Sequence, residues 1–231
     1  MFYITYMNKN KKVLHVNYIF GNPFTIPIAG ELNNLQKVMK KNIFTNEYKN
    51  LALSLENKLQ YLPYITKRCM SKHSKIRYLV NNRNRSNKRA IMIANDLKYK
   101  LTIDIDSFLY ETVSVCELLE KYSDYIFDKI LNNKIDVIRF FEQMFREASI
   151  DTAWHSLLGK HRNAYIHNTS LFFDIKLTDN GDFEDIILND YYHNKKKEFS
   201  FKELNNIFQG MRTLLLLVGD SLLKSIRGRL K

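Results

Sequence analysis

The amino-acid sequence predicts a mainly α-helical fold. The chain of 231 residues holds three prolines and seven glycines, and this scarcity favours long helices over a turn-rich β-sandwich. Hydrophobic residues make up 45% of the chain, and its 15 Phe and 14 Tyr are ample for a buried core. In several segments, apolar residues recur at the three- and four-residue spacing that marks one face of a helix.

The N-terminal part of the chain begins with a predicted small β-hairpin. Bulky and polar residues alternate on both sides of the turn-like stretch NKNKK within the first twenty residues. Helical spacing then covers residues 31–44 and 46–62, and Pro63 is expected to interrupt the second of these helices. Residues 81–89, NNRNRSNKR, have the composition of a mobile loop.

Helical patterns strengthen from Asp104 onward. The segment 104–131 starts with acidic residues, which suit a helix N-terminus. The segment 134–149 places aromatic residues on one face, and Asp151 is the expected N-cap of a further helix over 152–167. These patterns predict three helices, over 104–131, 134–149 and 152–167.

The C-terminal part predicts a second hairpin and a last helix. Residues 170–192 have the two-residue period of β-strands, and Asn180-Gly181 suits a tight type I′ turn between them. The segment 200–230 is apolar nearly all round its middle. Such a helix belongs at the centre of a bundle or partly in a subunit interface.

Cysteine and histidine spacing indicates no metal site. Cys69 and Cys116 have no metal-ligand spacing, and they predict reduced thiols in an intracellular protein. His155, His161 and His167 follow one another at six-residue intervals, whereas a zinc site on a helix needs two His at i and i+4. The sequence also lacks the glycine-rich motifs that cradle phosphates. We therefore expect no metal and no cofactor.

Membrane insertion is not expected either. The longest apolar run, LLLLV at 214–218, is far shorter than the run of about 18 residues that a transmembrane helix needs. The N-terminal stretch MFYITYMNKNKK lacks the basic-then-apolar order of a signal peptide. The sequence thus predicts a cytoplasmic protein with no membrane partner.

Positive charge is concentrated in one segment of the chain. The formal net charge is +12, and residues 61–100 hold eleven Lys or Arg against the single acid Asp96. Residues 101–131 reverse the sign, with seven acids against Lys121 and Lys129. A concentrated basic segment favours a phosphate backbone as partner, because binding releases condensed counterions. A solvated basic face, or a salt-bridged seam against the acidic stretch, explains the same charges, and charge alone does not decide.

Residues 161–168, HRNAYIHN, combine Arg162, Asn163 and His167 at the end of the predicted 152–167 helix. Asn163 and His167 are one helical turn apart and share a face, and Arg162 lies on the adjoining flank. A structural interpretation stays open, in which these side chains satisfy the last carbonyls of the helix and interact favourably with its dipole.

The order Arg162-Asn163, three residues, His167 resembles the R-N-x-x-x-H motif of HEPN domains. These are small helical bundles found in prokaryotic toxins, abortive-infection proteins and RNA-cleaving effector nucleases. The resemblance is strongest over residues 104–228, and the β-hairpin after the motif helix is an insertion into the plain bundle. It divides the chain into an N-terminal region, 1–103, with the small hairpin, helices and basic segment, and a HEPN-like bundle, 104–231.

The chemistry of the motif residues fits this resemblance. An imidazole with a pKa of about 6.5 exchanges a proton at neutral pH, and a guanidinium forks onto two phosphate oxygens. Together they suit metal-independent cleavage of RNA, with one group moving a proton and the other stabilising charge on the phosphorane. The resemblance implies that Arg162, Asn163 and His167 are catalytic and that the product is a 2′,3′-cyclic phosphate.

The resemblance also implies partners. We expect single-stranded RNA as substrate, a homodimer in which two motifs face one cleft, and an antitoxin or other defence-system partner. Thr169 stands where HEPN toxins that are modified by a nucleotidyltransferase carry a tyrosine, which counts against that regulation. The residues predicted to hold RNA belong to the basic segment: Lys67, Arg68, Lys72, Lys75, Arg77, Arg83, Arg85, Lys88 and Arg89. The alternative is a non-catalytic HEPN-like module that binds RNA or nucleotides, or dimerises.

Overall fold

The mainly α-helical fold predicted from the sequence is confirmed. The structure, a computed structural model, describes residues 3–8, 13–18, 22–82, 95–159, 172–189 and 199–230. Among these residues the helices are α1 (Thr25–Met39), α2 (Asn46–Asn81), α3 (Asn95–Tyr125), α4 (Val137–Glu147), α5 (153–159) and α6 (Phe201–Leu230), and a π-helical turn, Ile126–Ile130, follows α3. No helix in the described ranges combines the length and apolar character needed to cross a bilayer.

Both predicted β-hairpins are present. Strands β1 (Tyr3–Asn8) and β2 (Val13–Tyr18) pair antiparallel, as do β3 (Phe172–Leu177) and β4 (Phe183–Asn189). The type I′ turn predicted at Asn180-Gly181 is wrong, because of these two residues only Gly181 has a positive φ, 79°, a left-handed conformation that glycine adopts without steric cost. A short strand that the sequence did not predict, β5 (Phe199–Ser200), pairs with β4 and makes a three-stranded sheet.

Pro63 does not interrupt α2, so that prediction was wrong. The helix continues from Asn46 to Asn81, and Pro63 lies on its exposed side. A proline inside a helix removes one backbone hydrogen bond. The apolar residues before and after it are buried along one face, as shown by Leu59, Leu62 and Ile65. Burial of this continuous face offsets the missing hydrogen bond.

The chain forms two compact units, each assembled from separate stretches of sequence. The first unit comprises residues 1–60, 115–144 and 215–231, and the second comprises residues 61–114 and 145–214. Helix α3 begins at Asn95 rather than at the predicted Asp104, and Asp96 is the acidic residue in its first turn. The helix therefore runs through the boundary predicted between residues 103 and 104. The division into 1–103 and 104–231 stays a prediction.

A pair of buried tyrosines lies in the core of the first unit. The hydroxyl oxygens of Tyr48 and Tyr122 are 3.1 Å apart, and their ring centroids are 5.8 Å apart. Beside them, the hydroxyls of Tyr125 and Thr45 form a 2.7 Å hydrogen bond. Burial raises the pKa of both Tyr48 and Tyr122. The two hydroxyls therefore stay protonated at neutral pH and satisfy each other inside the core.

Helix α6 begins with a capping box. The Ser200 hydroxyl accepts a hydrogen bond from the Glu203 backbone N–H, and the Glu203 carboxylate accepts one from the Ser200 backbone N–H. The helix was predicted to be apolar nearly all round, but only one of its faces is buried. Leu216, on another face, is 69% exposed. The buried residues follow helical spacing: Phe201, Leu204, Ile207, Met211, Leu214, Val218, Leu222 and Ile226.

Within the second unit, Trp154 of α5 packs directly on the backbone of α6. A Cβ atom added to Gly210 would lie 2.2 to 2.4 Å from three carbons of the Trp154 indole. Trp154 is buried, and its ring meets Phe145 edge-on at a centroid distance of 6.2 Å. Glycine at position 210 is therefore a packing requirement, since any side chain there occupies the space of the indole.

Gly210→Ala is expected to lower the free energy of unfolding by about 2 kcal/mol, because the new methyl group must displace the Trp154 ring. Gly228→Ala in the same helix is the matched control. A Cβ at Gly228 has no neighbour within 4 Å, and alanine favours a helix by up to about 1 kcal/mol over glycine. Urea denaturation of both variants checks the expectation. Stabilisation by both substitutions would contradict it.

Candidate functional site

The predicted catalytic residues Arg162, Asn163 and His167 lie outside the described residues. The structure does describe the start of the helix that precedes them in sequence. The carboxylate of Asp151 accepts a 2.8 Å hydrogen bond from the backbone N–H of Ala153, which confirms Asp151 as the predicted N-cap. Helix α5 then extends over residues 153–159. The sequence prediction of the motif is thus neither supported nor opposed by geometry.

The predicted RNA-binding residues divide into two groups. Arg83, Arg85, Lys88 and Arg89 lie outside the described residues. Those that the structure describes all lie in the C-terminal half of α2, where Lys72 is half-buried and the rest are exposed: Lys67, Arg68, Lys72, Lys75 and Arg77. Residues 61–82 contain no Asp or Glu. This half of α2 therefore carries positive charge that no acid of its own segment compensates.

Two of these cations are bound to one buried carboxylate. Asp104 of α3 is 1% exposed and forms ion pairs with the Arg68 guanidinium and the Lys72 ammonium group. A buried carboxylate needs such partners, because an unpaired charge inside a protein costs several kcal/mol of desolvation. Asp104 belongs to the acidic stretch 101–131, so part of the basic segment does form a salt-bridged seam.

The remaining three cations on α2 face solvent. Lys67, Lys75 and Arg77 are exposed and form no ion pair within the part of the chain that the structure describes. Both explanations of the basic segment therefore hold, each for different residues. Lys72, with 17% of its side chain exposed, is engaged by Asp104, whereas Lys67, Lys75 and Arg77 are available to an anionic partner.

Exposed tyrosines lie at either end of this row of cations. Tyr64 and Tyr78 of α2 are 61% and 67% exposed, and the Arg68 guanidinium lies over the Tyr64 ring, 5.7 Å from its centroid. These tyrosines were not predicted as functional residues, because aromatic residues were expected in the core. The available signal was their position: both fall on the helix face opposite the buried Leu62 and Ile76.

His73 occupies a different environment on α2. Its ring stacks on Phe201 at 4.1 Å and meets Phe183 edge-on at 5.1 Å. The His73 Nε2 atom is 3.9 Å from a carboxylate oxygen of Asp185, beyond hydrogen-bonding distance. Burial lowers the pKa of His73, although Asp185 opposes the shift. His73 is therefore a neutral ring packed between aromatic residues at pH 7, and the geometry does not make it a general base.

The thiols and acids of the described segments offer no second reactive centre. Burial raises the pKa of both Cys69 and Cys116 to about 12, so both thiols stay protonated and unreactive at neutral pH. In the same segments, no group of three or more His, Cys, Asp or Glu side chains is arranged to hold a metal ion.

Comparison with known proteins finds no matching family model, no matching curated protein and no matching solved structure. The function is therefore inferred from the residues of this chain. Those residues are the motif at 162–167 and the basic, tyrosine-bearing half of α2.

Proposed function

We propose that this protein is a HEPN-type endoribonuclease that cleaves single-stranded RNA without a metal ion. The observation that carries the proposal is the order Arg162-Asn163, three residues, His167 in the sequence segment that follows α5. The mainly α-helical fold supports the proposal, because HEPN domains are helical bundles, whereas the hairpin of β3 and β4 is an insertion into the plain bundle. The proposed biological role is that of a cytoplasmic toxin or phage-defence effector.

In the proposed reaction, the ribose 2′-oxygen attacks the adjacent phosphorus and the 5′-oxygen of the next nucleotide leaves. The products are a 2′,3′-cyclic phosphate and a 5′-hydroxyl end. His167 transfers a proton at one of these oxygens, and Arg162 binds the phosphate oxygens on which charge develops. Asn163 orients the imidazole or the phosphate through its amide. General acid–base catalysis and a fixed guanidinium are sufficient for this chemistry, so the proposal includes no cofactor.

The reaction needs two proton transfers, one from the 2′-hydroxyl and one to the leaving oxygen. The motif of one chain offers a single histidine. A homodimer with two motifs facing one cleft supplies a second imidazole, so we propose that the active form is a dimer. An antitoxin or other defence-system protein is the proposed partner that restrains its activity.

The basic half of α2 supports RNA as substrate. Lys67, Lys75 and Arg77 are exposed on a segment without acidic residues, and such a surface attracts a phosphate backbone. This observation also favours a second candidate function, a non-catalytic module that binds RNA. The α2 surface exists whether or not the motif residues are catalytic, so only a cleavage assay separates the two functions.

The test is cleavage of a labelled single-stranded RNA by the purified full-length chain in excess EDTA. The same sequence as DNA, and as RNA with every 2′-hydroxyl methylated, serve as matched substrates. We expect EDTA-resistant cleavage of unmodified RNA alone, with 2′,3′-cyclic phosphate ends identified by mass spectrometry. Cleavage that requires a divalent cation, or that also acts on the DNA, would exclude the HEPN mechanism. Binding without any cleavage would favour the second candidate.

A further inference from the structure

One line of residues on the exposed side of α2 combines aromatic and cationic groups. It consists of Tyr64, Ser71 and Tyr78, each seven residues after the last, with Lys67 on one flank and Lys75 on the other. We call these five residues the α2 stripe. Residues seven apart on a helix are about two turns apart and nearly in line, so Tyr64 and Tyr78 are separated by about 21 Å along the helix axis.

The core does not require these tyrosines. The inward face of the same half of α2 is already formed by smaller apolar residues such as Leu62, Ile65 and Ile76, all buried. Single exposed aromatic residues are common on protein surfaces and need no explanation. Two of them in one line, flanked by lysines on a segment without acids, form a surface with a specific chemical character.

The Tyr64 ring is restrained by a contact with Arg68. The Arg68 guanidinium covers one side of its ring at 5.7 Å from the centroid, and Arg68 itself is fixed by the ion pair with buried Asp104. A guanidinium is attracted to the face of an aromatic ring, and this contact restrains the ring. Tyr64 is still 61% exposed, so the ring presents uncovered surface to solvent. A flat aromatic group, such as an unpaired nucleobase, fits on such a surface.

The lysines of the stripe complement a phosphate backbone. Lys67 and Lys75 are exposed, form no ion pair within the described ranges, and lie about 12 Å apart along the helix axis. Surfaces that bind single strands combine cations along the backbone with aromatic side chains on which bases stack. A duplex fits the stripe poorly, because its bases are already stacked on each other and present only their edges.

We propose that the α2 stripe binds single-stranded RNA, with bases stacked on Tyr64 and Tyr78 and phosphates bound by Lys67 and Lys75. The choice of RNA over single-stranded DNA rests on the proposed function, since stacking and phosphate contacts do not read the 2′-hydroxyl. The α2 stripe thus adds a substrate-binding surface to the proposed nuclease. It places substrate binding on α2, at residues that the sequence motif does not include.

The test measures binding of a fluorescein-labelled single-stranded RNA by anisotropy, with His167→Ala as the background so that cleavage does not interfere. Tyr64→Ala and Tyr78→Ala are each expected to weaken binding at least about fivefold, which corresponds to the loss of one stacked base. Tyr64→Phe keeps the ring and is expected to bind like the background protein. Tyr99→Ala, at a 62% exposed tyrosine of α3 outside the stripe, is the matched control and is expected to have no effect.

Salt dependence tests the lysines in the same assay. Replacing Lys67 and Lys75 with Gln is expected to reduce the slope of log affinity against log salt by about 0.7 for each lost phosphate contact. All substituted residues are exposed, so circular dichroism and thermal unfolding are expected to match those of the background protein. A matched RNA duplex is expected to bind more weakly than the single strand.

Several outcomes would overturn the inference. These are unchanged binding by both tyrosine variants, an equal loss in Tyr99→Ala, and equal or tighter binding of the duplex. Single-stranded DNA is expected to bind the stripe about as tightly as RNA, because the stripe's contacts do not read the 2′-hydroxyl; markedly tighter binding of DNA would overturn the assignment to RNA. The readout is independent of catalysis: stripe-dependent binding by a chain that cleaves nothing refutes only the proposed function. Cleavage that is insensitive to the tyrosine substitutions refutes only the stripe.

Discussion

His167→Ala is expected to reduce RNA cleavage by about 10²- to 10⁴-fold, the range that a positioned general acid or base contributes. In the proposed reaction the imidazole moves a proton, and alanine has no group that does so. Affinity for RNA is expected to stay the same, because the α2 stripe does not include His167. The measurement is single-turnover cleavage of a labelled single-stranded RNA in EDTA, together with anisotropy for binding.

His155→Ala is the matched control for this variant. His155 is exposed on α5 and lies outside the motif, so its removal is expected to leave the cleavage rate unchanged. Arg162→Lys extends the test, since a lysine keeps the charge but does not fork onto two phosphate oxygens. If His167→Ala cleaves as fast as the unmodified chain, the nuclease assignment is wrong whatever Arg162→Lys does.

Asp104→Asn is expected to lower the free energy of unfolding by about 3 kcal/mol. The substitution leaves two cations, Arg68 and Lys72, beside a buried amide, and breaking a buried ion pair from one side is strongly destabilising. We expect the low end of the usual range, because Arg68 retains 44% side-chain exposure and part of its charge is solvated. Urea denaturation monitored by circular dichroism gives the change directly.

Two further variants make this stability test specific. Asp106→Asn removes an exposed carboxylate two residues along the same helix, and it is expected to change stability by less than about 0.5 kcal/mol. Lys72→Met added to Asp104→Asn is expected to recover part of the loss, because it removes a cation that burial has left unpaired. Equal destabilisation by Asp104→Asn and Asp106→Asn would show that the ion pairs contribute little.

Local patterns predicted the local structure of this chain. The three- and four-residue spacing of apolar residues predicted the helices, and the two-residue spacing on either side of Asn180-Gly181 predicted the second hairpin. Asp151 was predicted as an N-cap from its own position alone, and its hydrogen bond to Ala153 confirms this. Each of these features depends on residues close together in the sequence, so a single sequence contains the signal.

Features that depend on distant residues were missed. Asp104 pairs with Arg68 across 36 positions of sequence, and no local pattern indicates which acid meets which base. Pro63 was expected to interrupt a helix because the cost of a lost hydrogen bond is local, whereas the burial that offsets it comes from tertiary packing. The exposure of Tyr64 and Tyr78 likewise follows from which face of α2 is buried.

The candidate site also has one part that was predicted from the sequence and one part that was found only in the structure. Arg162, Asn163 and His167 were proposed from their order in the sequence, and they stay a prediction that cleavage assays must test. The α2 stripe was found only from the structure, although Lys67 and Lys75 were already predicted to hold RNA. The structure added the exposed Tyr64 and Tyr78 on either side of these lysines and showed that Lys72 is paired with Asp104.

Asp104 connects the stability of the fold to the environment of Tyr64. The same carboxylate keeps the polypeptide folded and, through Arg68, sets how the Tyr64 ring is presented to solvent. A substitution at this position is therefore expected to change both thermal stability and the proposed binding of RNA to the α2 stripe. Loss of the Asp104 carboxylate is expected to be compensated by substitution of Arg68 or Lys72. These three positions are therefore expected to co-vary among homologues.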